Sequence, residues 1–363
     1  MKNFARLLIE WQKHHGRHDL PWQQTRDPYA VWLSEIMLQQ TQVASVIPYY
    51  QRFIARFPDI AALAAASQDE VLAHWSGLGY YARGRNLHRA AQLVVAQHGG
   101  VFPSDPEWVV ALPGIGRSTA AAILAFSFGQ RRAILDGNVK RVLARCFGIA
   151  GYPGAKAVEN RLWQQAEALL PESGIETYTQ ALMDLGATVC TRKPSCAACP
   201  LGSGCVAYNE KRVAELPEPK PRKPLPQKET AMLILLRQGE VYLEKRPPTG
   251  IWGGMWSLPE APVLEADALA RLGMAGREGK PLPERQHAFT HFRLRIVPRL
   301  FEVTADQNKR PSPLPPLPQA GEGWGEGGSQ PGAREPGGRW LTPADALGAA
   351  LPKPVREILK MLA

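Results

Sequence analysis

Over the first two hundred residues, apolar positions recur three and four apart, as at Leu63, Val71 and Leu72 and again at Leu87, Ala90, Ala91 and Val94, with proline or glycine at the breaks. That period puts one apolar stripe on each segment and predicts successive amphipathic helices from about residue 3 to 210. After Leu216 the pattern stops. Pro217-Glu218-Pro219-Lys220-Pro221-Arg222-Lys223-Pro224 cannot continue a helix and predicts a semi-extended linker over 217–227. Beyond residue 228 the pattern favours strands. Met232 to Leu236 and Glu240 to Glu244 flank Gln238-Gly239, a hairpin signal, and His291 to Val303 alternates like a strand. Val355 to Leu362 reads as a short amphipathic helix. The predicted architecture is therefore multidomain: a helical domain over 1–216, the linker, and an α+β domain over 228–363. Within the second domain, residues 308–338 are rich in Pro, Gly and Glu. Too little apolar surface is available there to offset chain entropy, which predicts a disordered insertion.

Composition narrows the partners. At 363 residues the chain exceeds one ordinary core, consistent with two domains. No apolar run approaches the roughly 20 residues that cross a bilayer. The N-terminus meets Glu10 and Trp11 before a signal-peptide core can form. A soluble cytoplasmic protein is expected. The net charge of +10 sets up an attractive field toward polyanions, although it serves solubility or membrane contact equally well. Four of the five cysteines (Cys190, Cys196, Cys199 and Cys205) fall within sixteen residues, a crowding that points to metal ligation before disulfides. Thiolate ligation suits an iron-sulfur cluster, with zinc the chemical alternative. Cys146, in an apolar helical stretch, reads as a buried thiol.

Three segments carry chemistry. Leu112-Pro113-Gly114-Ile115-Gly116-Arg117-Ser118 puts two glycines in a tight turn before the helix-prone run Thr119 to Phe128, leaving backbone N–H groups free to hold a phosphate. An ordinary helix-helix turn would look the same. In Ile134-Leu135-Asp136-Gly137-Asn138-Val139-Lys140-Arg141-Val142 an apolar stretch delivers a carboxylate to a helix start, where an aspartate commonly serves as N-cap. In the run Asp27 to Gln42, Asp27 as cap and Pro28 in the first turn start a helix that sets Val31, Leu38, Gln39 and Gln42 around Glu35. An apolar rim there raises the pKa of Glu35, so that it holds a proton near neutrality. A surface glutamate is the plain alternative.

Together these segments resemble the endonuclease III, or helix-hairpin-helix, superfamily of DNA glycosylases, with the hairpin at about 108–128. Trp32-Leu33-Ser34-Glu35-Ile36-Met37-Leu38-Gln39-Gln40-Thr41-Gln42-Val43 and Leu135-Asp136-Gly137-Asn138-Val139-Lys140-Arg141-Val142 are similar to the MutY family of adenine glycosylases within it. The resemblance implies that Glu35 and Asp136 are catalytic in a monofunctional glycosylase of base excision repair. Glu35 would protonate adenine at N7 and activate water, while Asp136 would stabilise the sugar cation, as two carboxylates do in glycoside hydrolysis. A base inside the stack cannot be reached, so the nucleotide must be flipped out. The resemblance assigns Tyr80, in Gly77-Leu78-Gly79-Tyr80-Tyr81-Ala82-Arg83, and Gln40 to the duplex. It also implies DNA contacts at Leu112, Gly114, Gly116, Ser118 and Lys140. Bifunctional relatives carry a lysine where this chain has Ser118, and serine cannot form a Schiff base. Lys140 is at most an adventitious trap of the abasic product.

The resemblance further implies one [4Fe–4S] cluster on Cys190, Cys196, Cys199 and Cys205, although the first gap holds five residues where the family has six. Arg192 and Lys193 in that gap are implied phosphate contacts. Residues 228–363 resemble the family's Nudix-like domain, mainly through Pro247 to Trp256. The Arg-Glu-x-x-Glu-Glu helix of a working Nudix hydrolase is missing, since Arg277-Glu278-Gly279-Lys280 does not supply it. Phe289-Thr290-His291 stands where the family reads 8-oxoguanine through Phe-Ser-His, with threonine adding a methyl group. The implied partner is double-stranded DNA with A:8-oxoguanine or A:G mispairs, bound by a monomer near the nucleoid with no membrane involved.

Overall fold

The computed structural model describes residues 3–221, 224–265, 267–306 and 338–362. The expected disordered insertion lies, Gly338 apart, outside the described residues. The chain divides into two compact units, one formed by residues 1–66 and 85–222 and the other by 67–84 and 223–363.

The helices run α1 Phe4–His15, α2 Pro28–Leu38, α3 Val43–Arg56, α4 Ile60–Ala65, α5 Gln68–Trp75, α6 Ala82–His98, α7 Pro106–Ala111, α8 Arg117–Phe128, α9 Gly137–Cys146, α10 Lys156–Ala168, α11 Ile175–Asp184 and α12 Val206–Asn209. Short polar side chains start several of them. Asp27 accepts from the N–H groups of Tyr29 and Ala30, Asp59 from Ala62 and Asp105 from Glu107 and Trp108, each satisfying N–H groups that a helix start leaves unpaired. Gly129 closes α8 in the left-handed conformation at φ 64°. α11 runs on into a π-helical turn, Leu185–Val189, just before the cysteine loop. The core under these elements gathers Leu8 of α1, Val139, Val142 and Leu143 of α9, Leu162 of α10 and Leu182 and Leu185. Asp184, fully buried, is neutralised by Arg17 at 2.6 Å and bonded by Gln180, which ties the N-terminal segment to α11.

In the second unit, eight strands among the described residues form one sheet: β1 Gln227–Arg237, β2 Glu240–Lys245, β3 Trp256–Ser257, β4 Glu260–Ala261, β5 Met274–Glu278, β6 Arg285–Ala288, β7 Arg293–Asp306 and β8 Arg339–Leu341. The order along the main path is β3-β2-β1-β7-β5, with β4 on β1, β6 on β7 and β8 on β2. β1 and β7 pair in parallel over Gln227 to Leu236, and the other pairs are antiparallel. The expected hairpin joins β1 to β2, with Gln238 (φ 50°) and Gly239 (φ 83°) both left-handed, the two-residue turn that suits strand twist. Alternate residues of β1 enter two separate cores, Met232 and Ile234 on one face, Ala231, Leu233 and Leu235 on the other. Helices α13 Pro343–Gly348 and α14 Lys353–Leu359 cover the first face. α5 belongs here too. Leu72 joins the same core, Lys245 pairs with Asp69 at 2.9 Å, and Ser76 bonds both the Leu351 carbonyl and Arg356. The alternation expected from His291 becomes a strand only at Arg293, because the chain turns at Thr290 and His291.

Candidate active site

Glu35 sits near the end of α2, amid Val31, Ile36 and Met37, which are buried. α2 is apolar almost all round, and Glu35, its one carboxylate, is partly buried. Burial raises its pKa from the usual carboxylate range to about 8, with the nearby charge of Asp136 adding to the shift. Among the described residues none forms a hydrogen bond or ion pair with the Glu35 carboxyl. Asp136 caps α9, accepting from the Val139 N–H at 2.8 Å and also from Asn138. Capping and a role in the site are therefore compatible in one residue. Burial raises its pKa as well, but the two N–H bonds and the charges of Arg141 and Lys140 oppose the rise. The pair thus offers one carboxyl that holds its proton at neutrality beside a second whose burial is partly offset by N–H bonds and nearby cations.

The hairpin between α7 and α8 lies against the end of α2, where Gln39 Nε2 approaches the Gly114 carbonyl. Gly114 turns at φ 82°, where an added Cβ would meet Asn86 at 3.0 Å, so this position requires glycine. Gly116 is extended, opens onto empty space and precedes α8 without a side-chain cap. Leu112 is only 5% exposed, so its side chain anchors the turn in the core and its backbone alone is available to a ligand. Ser118 Oγ accepts the Leu135 N–H at 2.8 Å, and Thr119 Oγ1 accepts from Gln39 Nε2 at 3.3 Å. Lys140 is held by Glu159 at 2.6 Å, an ion pair that keeps its amine from acting as a free nucleophile.

The four cysteines of the loop line one pocket together with Val142, Arg145, Cys146, Leu185 and Val189. Among the described residues, no three His, Cys, Asp or Glu side chains converge to hold a single metal ion. Sequence reasoning missed the arginines that organise this pocket. Arg145, 5% exposed, donates to Cys190 Sγ at 3.4 Å, to the Thr191 carbonyl at 2.6 Å and to the Leu216 carbonyl at 2.8 Å. Arg141, one turn earlier, donates to the carbonyls of Cys190 and Gly186 and to Asn138. Their four-residue spacing on the helix that Asp136 caps was the available signal. Cys146 is buried as expected and hydrogen-bonds Cys205, which together with backbone N–H groups brings the Cys205 thiol down to about 6.

The two residues expected to enter a duplex share a backbone property. Gln40 (φ 57°) and Tyr80 (φ 50°) are exposed and left-handed, a conformation that strains residues other than glycine. Tyr80 stands 46% exposed on a turn braced by Trp75 Nε1 and Arg83, both donating to the Gly79 carbonyl. In the sheet unit, Thr290 and His291 form the exposed tip between β6 and β7. Phe289 behind them stacks on Phe292 at 4.5 Å and contacts His287 and Trp252 at 4.7 and 5.3 Å. Residues 274–278 are the strand β5, so no catalytic Nudix helix forms there, and Glu278 is engaged by Arg299.

The helical unit, with its hairpin and recessed carboxyl, defines a DNA glycosylase that hydrolyses N-glycosidic bonds, and the comparisons agree. Residues 33–168 match the HhH-GPD superfamily of base excision DNA repair proteins, and residues 230–361 match the NUDIX domain. A thermostable thymine-DNA glycosylase superposes on 58% of this chain and 96% of its own with a TM-score of 0.52 and 29% identity. An endonuclease III seen in a DNA complex shares the fold at 20% identity and a TM-score of 0.50, over 58% of this chain and 97% of its own. The adenine DNA glycosylase of Buchnera aphidicola subsp. Schizaphis graminum is 34% identical over 99% of this chain and 98% of its own. That of Mus musculus is 32% identical over 99% and 77%. The chain belongs to the adenine DNA glycosylase family. Its fold is a helical helix-hairpin-helix domain followed by a Nudix-like domain, and among the described residues no helix is long and apolar enough to cross a membrane.

Proposed function

We propose that this protein removes adenine paired with 8-oxoguanine or guanine by hydrolysing the N-glycosidic bond, acting as a monomeric, monofunctional glycosylase. The observation that carries this reading is Glu35, whose burial near the charge of Asp136 raises its pKa to about 8. Adenine leaves poorly as an anion. Protonation of N7 by Glu35 lets it depart neutral, and the deoxyribose acquires oxocarbenium character that the Asp136 carboxylate stabilises. Glu35, now ionised, takes a proton from the water that attacks C1′, which completes hydrolysis and restores the acid. Ser118 in place of an amine, and Lys140 engaged by Glu159, support hydrolysis without lyase chemistry.

The DNA would lie against the N–H groups of the Gly114–Ser118 turn, with Gln40 and Tyr80 entering the stack. Their strained, exposed backbones support that role, since such strain is retained where function requires it. Phe289, Thr290 and His291 would read the opposite base from their exposed tip. Cys190, Cys196, Cys199 and Cys205 suit one [4Fe–4S] cluster better than a single zinc, because they surround a pocket without converging on one point. Bound there, the cluster would supply iron–thiolate bonds that staple the loop carrying Arg192 and Lys193, and Arg145 would donate to its Cys190 ligand.

Single-turnover cleavage of duplexes with one A:8-oxoguanine, A:G or A:T pair tests the reading. Adenine should be released from the first two by wild type and from none by Glu35→Gln. Equal release from A:T, or undiminished release by the variant, overturns it.

A further inference from the structure

The two carboxylates sit on different helices, and something must set the space between them. The first turn of α8 touches both carrier segments through adjacent hydroxyls. Ser118 Oγ accepts the N–H of Leu135, the residue immediately before Asp136, at 2.8 Å. Thr119 Oγ1 accepts from Gln39 Nε2 at 3.3 Å, and Gln39 lies one turn beyond Glu35. α2 also packs along α8. The residues between α8 and α9 form no regular element, so Leu135 draws its backbone bond from a side chain instead of from a helix or sheet ladder.

We propose that Ser118 and Thr119 are positioning residues that bracket Glu35 and Asp136 at their working separation. The inference rests on the proposed roles of those carboxylates. On this view Ser118 does more than stand in for a missing lysine. Its hydroxyl fixes the peptide that aims Asp136, while Thr119 fixes the end of the helix that aims Glu35. Small displacements of reacting groups are costly to rate, on the order of a hundredfold for about 1 Å. They need not alter affinity for DNA.

The test uses the full-length protein, an A:8-oxoguanine duplex and, for binding, a duplex carrying a non-cleavable 2′-fluoro adenosine. Ser118→Ala and Thr119→Val should each lower the single-turnover rate at saturating enzyme by roughly ten- to a hundredfold, with Kd for the fluoro duplex changed by less than about threefold. The alkaline limb of the rate profile should move to lower pH in Ser118→Ala, because Asp136 would raise the pKa of Glu35 less from a relaxed position. Ser118→Thr and Thr119→Ser, which keep the hydroxyls, should restore rate and limb. Wild-type rates in both hydroxyl-less variants overturn the bracket, as does weakened binding with an unchanged rate, which would make Ser118 a DNA contact alone. If Ser118→Ala fails to fold, Thr119→Val carries the same test on the α2 side. Asp136→Asn is run in parallel. Full activity there sinks the carboxylate reading itself, whereas an inactive Asp136→Asn beside a fully active Ser118→Ala and Thr119→Val sinks only the bracket.

Discussion

Each unit of the molecule buries a pair of carboxyl groups, and the more strongly shifted member of each pair has different neighbours. In the sheet unit, burial raises Glu244 to about 7, helped by the neighbouring Glu260, and raises Glu260 as well. There, however, Arg246 forms an ion pair with Glu260, Arg271 donates to the Glu260 backbone carbonyl at 2.8 Å, and both guanidinium charges hold the Glu244 shift down. In the helical unit, Glu35 is shifted further, to about 8, by burial and the nearby charge of Asp136. Burial alone therefore does not mark a reactive acid. Glu244 and Glu260, set against arginines, form a structural joint, whereas Glu35, without such a neighbour, holds a proton ready for transfer.

The comparison can be broken most directly at Glu35. Glu35→Gln should cost about 10³-fold in single-turnover adenine release while duplex binding persists, the range expected for losing a positioned acid and base. Glu260→Gln should leave that rate within about threefold, since the joint takes no part in proton transfer. Removing the cation from the joint should instead be read in stability. Arg246→Met is expected to lower unfolding free energy by about 3 kcal/mol in urea titrations, because it strands a buried carboxyl. A loss of activity at unchanged stability would reverse the assignment of the two pairs.

Titration sharpens the contrast. Glu35 must be protonated to act, so the rate of adenine release should decline as pH rises through about 8. Beyond that point it should fall about tenfold per unit. A rate that is flat to pH 9.5 would remove Glu35 as the acid. Stability carries the same signature with a smaller amplitude. The folded pKa of Glu35 lies above its unfolded value of 4.5, so the folded state holds a proton that the unfolded chain has lost between pH 4.5 and about 8. Its contribution is fully present below that window and disappears as pH rises through it. Glu35→Gln should accordingly melt about 3 °C or more above wild type at pH 9, with the difference closing near pH 4.5. The smallest effect belongs to the sheet unit's exposed tip. Thr290→Ser removes one methyl group and should change the preference for 8-oxoguanine over guanine by no more than about tenfold, leaving the maximal rate unaltered.

What the sequence made legible was local. Asp27 and Pro28 start α2 where cap chemistry predicts, Gln238-Gly239 turns the hairpin, and the glycines of the Gly114–Gly116 turn adopt the backbone that the motif requires. The apolar surroundings of Glu35 and the crowding of four cysteines around one pocket were readable for the same reason, since spacing along a single element determines them. What escaped were contacts between residues far apart in the chain. Arg145 reaches the Leu216 carbonyl across 71 positions, and Asp69 pairs with Lys245 across 176. Neither residue advertises its partner through periodicity. His291 escaped for a subtler reason. An alternating pattern runs smoothly through a tight turn, so the tip at Thr290 and His291 was hidden in what looked like strand.

The excursion of residues 67–84 into the sheet unit has a consequence for how the chain is made. Its partners begin at residue 223, which is 139 positions after residue 84. A ribosome adding about 5–20 residues per second needs on the order of ten seconds to cover that distance, and longer to finish the sheet and its last helices. For much of that interval Leu72, fully enclosed in the finished protein, lacks the sheet residues it packs with. The burial of residues 68–75 is thus a late event of synthesis, completed only when the sheet has been made.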